Sequence, residues 1–347
     1  MAAADLPHSS QGLVQVEGHT DRPEAGSFHA WLVRADEELQ PVDLESIAEL
    51  VRADENFVWI DLSEFAVDDL ESVAGPLSID RRALHAAVSP WQRPQVDVYR
   101  DHFFVAATVA RIDPEHDRVL ASELDLVIGP NYLLSIHNRP LPFVEDIKGR
   151  ASQNPELVRL DSAYMLYIVL DELLEHYEGM VETLEDRIEA LEERALRNDS
   201  DTFLEDIIHL KRLVFALGRI VDQHAEVFAT FLRPDFAVIS GDEVVSNFRD
   251  LENRFHRLLD RCDGLREAVR GAFDIYVSHV SHRTNHVMKV LTVVSTMLLP
   301  AAIILSFFGT SFEGLPLYSE TAFWVMVGSI ALVIILALLM FRRWGWL

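Results

Sequence analysis

VLTVVSTMLLPAAIILSFF (290–308) and TAFWVMVGSIALVIILALLMF (321–341) contain no charged residue. Each run is close to the ~20 apolar residues needed to cross a bilayer core. Two such runs in tandem argue against a buried core helix. Pro300 interrupts the first, which a membrane helix tolerates where neighbours satisfy the freed carbonyl. The link between them, GTSFEGLPLYSE (309–320), holds two acids and no base, whereas Arg283 and Lys289 precede the first run and Arg342 and Arg343 follow the second. By the positive-inside rule both termini face the cytoplasm and the link lies on the far side. Trp324, Trp344 and Trp346 suit the interfaces. The reading is a multi-pass protein of the cell membrane.

Outward from these runs the composition changes sharply. The chain of 347 residues carries a net charge of −26. From residue 289 onward three bases face two acids, so the acidic excess belongs entirely to the first 288 residues. Such a surface attracts small cations and keeps a large body soluble, and it excludes nucleic acid as a partner. The single cysteine, Cys262, permits no internal disulfide framework and fits a reducing compartment. The first ten residues, MAAADLPHSS, lack a basic n-region and an apolar h-region, so no signal peptide is expected.

Residues 1–27 are polar and are read as a mobile lead-in. Residues 28–150 read as an α/β domain. FVWIDL (57–62), VDVYRDHFFVAATVA (96–110), ELDLVIG (123–129) and YLLSIHN (132–138) are strand-like, and DDLESVAGPL and SIDRRALHAAV are short helices between them. From Pro155 the period becomes helical. Leu166, Leu170, Leu173, Tyr177, Met180, Leu184, Ile188, Leu191 and Ala195 recur every three or four residues with acids on the other faces. A second helix is expected from about Thr202 to Phe231. A third begins near Gly241 and meets no proline before Pro300; unbroken to Phe308 it would measure roughly 100 Å. The expected fold class is an α+β membrane protein with an acidic helical stalk (151–288), two spans (289–308 and 321–341), an external loop (309–320) and a basic tail (342–347).

Two spans cannot enclose a pore, but a ring of subunits can. Along the first span, Asn285, Met288, Thr292 and Ser295 recur at heptad spacing, followed by Leu299, Ala302, Ser306 and Gly309. Small and hydroxyl residues dominate this stripe. It serves either tight helix packing or a pore lining, and in a ring it serves both.

The stretch YVSHVSHRTNHVMKVLTVVSTMLLPAAIILSFFGTSFEGLP (276–316) resembles the first transmembrane helix and external loop of the CorA family of divalent-cation transporters, within the CorA/ZntB superfamily. RTNHVMKVLT followed by a mid-span proline is especially close. FRRWGWL at the end and QRPQVDVYRDHFFV (92–105) are similar to the family as well. The resemblance implies a homopentamer with a cytoplasmic funnel, the first spans lining the pore, and Mg²⁺ as both substrate and regulator. It implies no organic cofactor. It also implies a Gly-Met-Asn signature at the external mouth, where this chain has Gly309, Thr310 and Ser311. Mg²⁺ keeps its waters, so a ring there must hydrogen-bond to them. A Ser hydroxyl is shorter than an Asn amide and leaves a wider mouth. Glu313 agrees with the family pattern and either concentrates cations or is a solvated loop acid. By the same resemblance Asn285 faces the pore, Met288 and Leu299 form dewetting constrictions, and Asp250 is a regulatory Mg²⁺ ligand between subunits. Its suggested partner is Asp113, with Asp117 as a substitute.

His279, His282 and His286 sit at i, i+3 and i+7. They are either polar helix-surface residues or ligands of Zn²⁺ or another transition metal, which keeps a ZntB-like zinc transporter as an alternative, alongside cobalt. A membrane-anchored sensor or scaffold that no longer transports is a further alternative, motivated by the altered signature. No nucleotide loop or catalytic motif occurs, and no enzymatic activity is expected.

Overall fold

The computed structural model describes residues 14–16, 27–33, 40–53, 56–89, 93–153, 162–197, 202–233, 236, 242–309 and 319–346. They cluster into two compact units, Met1–Arg194 with Asp199–Ala272 and Ala195–Asn198 with Phe273–Leu347.

The first unit is built on one mixed sheet. Its strands are β1 (Val14–Val16), β2 (Ser27–Val33), β3 (Gln40–Pro41), β4 (Phe57–Ser63), β5 (Gln95–Val98), β6 (Phe103–Asp113), β7 (Arg118–Ile128) and β8 (Tyr132–His137), in the order β3-β2-β4-β8-β7-β6-β5. β4 and β8 are parallel and the other neighbours along this order are antiparallel. β8 pairs with Leu124–Ile128 of β7, and β1 pairs in parallel with Val119–Ala121 beside it. Thus β1 lies inside the segment read as a lead-in. The long run from 96 to 110 is two strands rather than one: Tyr99 N–H donates to the His102 carbonyl and turns the chain between them.

Helices α1 (Leu44–Leu50), α2 (Val67–Leu77) and α3 (Arg81–Val88) pack on one face of the sheet. Val58, Ile60 and Leu62 of β4 alternate toward that core, as do Leu134 and Ile136 of β8. Asp80 begins α3 as a true cap, accepting from the Arg82 N–H at 2.8 Å. On the other face Asp61 is buried between strands. It accepts from Ser135 Oγ at 2.5 Å, His137 Nε2 at 3.0 Å and Lys148 Nζ at 2.9 Å. Burial pushes its carboxyl up, but His137, Ser135 and Lys148 outweigh burial and hold it at about 2. Lys148 stands on α4 (Pro142–Gln153), a helix whose first position is a proline that lacks the N–H a helix leaves unused there.

α5 (Ser162–Arg197) buries all nine residues of its apolar stripe. Beyond the end of β5, the free edge of β6 needs partners for its backbone. They come from helices: the Tyr177 hydroxyl donates to the Thr108 carbonyl, His176 Nε2 donates to the Ala110 carbonyl at 2.6 Å, and Thr108 N–H donates to His224 Nε2 at 3.0 Å. That last bond explains a departure from the sequence reading. The segment expected to be one helix breaks into α6 (Phe203–Gln223) and α7 (Ala225–Thr230) at His224. Its ring Nδ1 donates to the Ile220 carbonyl at 2.8 Å, so its own N–H bonds to Val221 in a tighter turn.

α8 runs from Asp242 to Phe308 and α9 from Glu320 to Arg343. In the first unit α8 buries Phe248, Leu251, Phe255, Leu258, Cys262, Leu265, Val269 and Ala272, alternating three and four apart. Phe255 stacks on Phe228 of α7 at 4.3 Å between ring centres. Arg254 pairs with Asp171 and Glu178, and Arg261 with Glu185, all three acids on α5.

Candidate functional site

The buried stripe of α8 stops at Ala272, and residues 280–292 are all exposed. From Val290 onward that exposed surface is apolar: Leu291, Leu298, Leu299 and Ile303 are each about three-fifths exposed. A contiguous apolar surface of this kind requires lipid or another subunit to cover it. α8 and α9 are both long and apolar enough to cross a membrane.

In the second unit α9 packs on one side of α8 only. Val293 and Met297 meet Ala337 and Phe341, and the Lys289 ammonium lies 5.9 Å from the centre of the Trp346 ring. Ala302 lies nine residues after Val293, two and a half helical turns, and so points the opposite way. Met288, Leu299 and Ser306 fall within about 60° of that direction by the same arithmetic. All of the stripe residues Asn285, Met288, Thr292, Ser295, Leu299, Ala302 and Ser306 are exposed. The Thr292 hydroxyl donates to the Met288 carbonyl at 2.7 Å, which leaves its oxygen able to accept a further hydrogen bond. Pro300 does not break the helix. Gly309 ends it, with its N–H donating to the Leu305 carbonyl at 3.0 Å. Thr310, Ser311 and Glu313 lie outside the described residues.

The residues expected in regulation belong to the first unit. Asp250 is exposed on α8. Asp113, at the end of β6, is committed to its own hairpin. Oδ1 accepts from the Glu115 N–H at 3.0 Å, and Oδ2 accepts from His116 Nδ1 at 2.9 Å and Arg118 Nε at 3.1 Å. Loss of solvent raises its carboxyl, and these donors more than offset that, leaving it at about 2. Asp117 occupies the left-handed turn position of the same hairpin (φ 48°) and pairs with Arg187 of α5 at 2.7 Å. Among the described residues, no three His, Cys, Asp or Glu side chains are gathered to hold a metal ion.

The packing of Val293 on Phe341 was not singled out by sequence reading, although it fixes which side of α8 is left bare. The seven-residue spacing of the stripe was the available signal, since its complement is the side that α9 covers.

Comparison with known proteins agrees with this architecture. The chain is 25% identical over 313 residues to the cobalt/magnesium transport protein CorA of Thermotoga maritima, covering 89% of each chain. The complete structure of the CorA magnesium transporter from Methanocaldococcus jannaschii superposes with a TM-score of 0.77 at 22% identity, over 92% of this chain and 98% of that one. The cytoplasmic domain of ZntB from Vibrio parahaemolyticus shares the fold of the soluble part, with a TM-score of 0.60 at 11% identity over 73% of this chain and 98% of that one. The model of the family described as CorA-like Mg²⁺ transporter protein matches residues 54–343, so the chain belongs to the CorA family.

Proposed function

We propose that this protein carries divalent cations, Mg²⁺ foremost, into the cytoplasm through a pore built by identical subunits, five by resemblance. The observation that carries the reading is the bare stripe of α8, turned away from α9 and lined by small and hydroxyl side chains where a mere anchor would take leucine. In a ring, Thr292, Ser295, Ala302 and Ser306 line the path, and Met288 and Leu299 constrict it. Gly309, Thr310 and Ser311 form the external lip, and Glu313 draws cations toward it. Both termini lie in the cytoplasm.

A divalent ion gains about 4.6 kcal/mol per 100 mV on entering a negative interior, so the membrane potential suffices to drive uptake. Asp250 carries the response to cytoplasmic Mg²⁺ by bridging subunits when occupied. Asp113 takes part only by giving up its donors from Glu115, His116 and Arg118. Growth of a host deficient in Mg²⁺ uptake tests the reading. Rescue supports transport and removes the sensor or scaffold alternative. No rescue by protein shown to be in the membrane contradicts transport.

A further inference from the structure

The side of α8 that meets α9 continues past the end of α9. Along it, Met297 and Val293 are covered by Ala337 and Phe341, and Lys289 is met by Trp346 in the tail. Next on the same side, toward the N-terminus, come His286, His282 and His279, which lie seven, eleven and fourteen residues before Val293. At 100° per residue the three fall within about 60° of one another. His282 and His286 are exposed and His279 is half-buried. A line of three imidazoles therefore follows the contacts that Ala337, Phe341 and Trp346 make with this side.

Two histidines at i and i+4 on one helix face can close on a single ion, the arrangement by which such pairs bind zinc. We propose that His282 and His286 chelate a divalent transition-metal ion of the Zn²⁺ class on the α9 side of α8, just cytoplasmic of the membrane. The chelate forms by rotation of two exposed rings, and water completes the coordination as in an open zinc site. Imidazole selects Zn²⁺, Ni²⁺ or Cu²⁺ over Mg²⁺, which is hard and takes oxygen ligands. The cations nearest in sequence are Arg283, whose direction is about 80° from the midline of His282 and His286, and Lys289, whose ammonium is held over Trp346. His279 lies one turn earlier and takes no part in the chelate.

The site lies on the side of α8 opposite Ala302, so an ion held there is not in transit along the stripe. That placement off the conduction path rests on the proposed pore, whereas binding itself does not. The histidines thus act as a binding site for a second class of metal and not as the zinc path of a ZntB-like transporter.

The test is acylation of the full-length protein by diethyl pyrocarbonate, read residue by residue by peptide mass spectrometry, with Zn²⁺ or Mg²⁺ present. Zn²⁺ is expected to protect His282 and His286 together and Mg²⁺ to protect neither, while exposed His85 of α3 labels alike throughout. His282→Gln should raise the Zn²⁺ needed to protect His286 by at least about tenfold, because losing a ligand costs no less than losing an outer-shell partner. Equal labelling with and without Zn²⁺, or protection of His286 that survives His282→Gln, overturns the proposal. The readout involves no flux. Coupled protection in a protein that passes no Mg²⁺ leaves the site standing and removes the pore, and Mg²⁺ flux without protection does the reverse.

Discussion

His224 shows how one side chain can decide local structure. Its ring is fully buried, donating to the Ile220 carbonyl and accepting from Thr108 N–H, which only a neutral imidazole can do. Burial pushes its pKa down to about 4, against a partial upward pull from the Ile220 bond. The folded state therefore binds its proton less readily than the unfolded chain. Its contribution is complete above the unfolded value near 6.5 and is lost as pH falls toward 4, a change of about 3 kcal/mol. The resistance of the protein to denaturant should weaken as pH falls through that window. A His224→Gln variant should lose the slope between those values, and an unchanged slope would assign the acid sensitivity elsewhere. None of this was visible in sequence. His224 sits within a good helical pattern, and its partner Thr108 is 116 residues away on another element. The Asp61–His137–Lys148 network escaped for the same reason, since each member is a lone polar residue on a different strand or helix.

At the scale of elements, periodic segments were legible and their interruptions were not. The stripe of α5 is buried at every position read from its spacing, because a three-four period leaves only one face for a core. The turn at 99–102, the β1 strand and α4 depend on pairings or packing that no short window contains. For α8 the same logic gives a test. Cys262, the single cysteine, is buried, and burial pushes its thiol up to about 12, so it offers a quiet background. A cysteine placed at Thr292 or Ala302 should react with a water-soluble, charged thiol reagent and cut flux by about tenfold or more, as a block of the lining requires. A cysteine at Val290 or Val294 should react slowly and leave flux unchanged. Equal reactivity at all four positions would remove the stripe as the lining.

For the whole molecule, the division of charge already separated an acidic body from a membrane end, and family membership gives that division its meaning. Where the resemblance implies Gly-Met-Asn at the external mouth, this chain keeps Gly309 and has Thr310 and Ser311 instead of Met and Asn. If Asp250 couples the body to the pore, Asp250→Ala should lower the protection from protease that Mg²⁺ confers, shifting the Mg²⁺ needed by about tenfold, the scale of a one-to-two kcal/mol coupling. An unaltered Mg²⁺ dependence would free Asp250 of that role. Transport is measured directly by uptake into liposomes holding the purified protein, under an inside-negative potential, with Mg²⁺ and Zn²⁺ compared side by side. Entry of Mg²⁺, growing with the potential, is the predicted result and means that a Thr-Ser lip passes the hydrated ion. Entry of Zn²⁺ without Mg²⁺, or of neither ion, would contradict it.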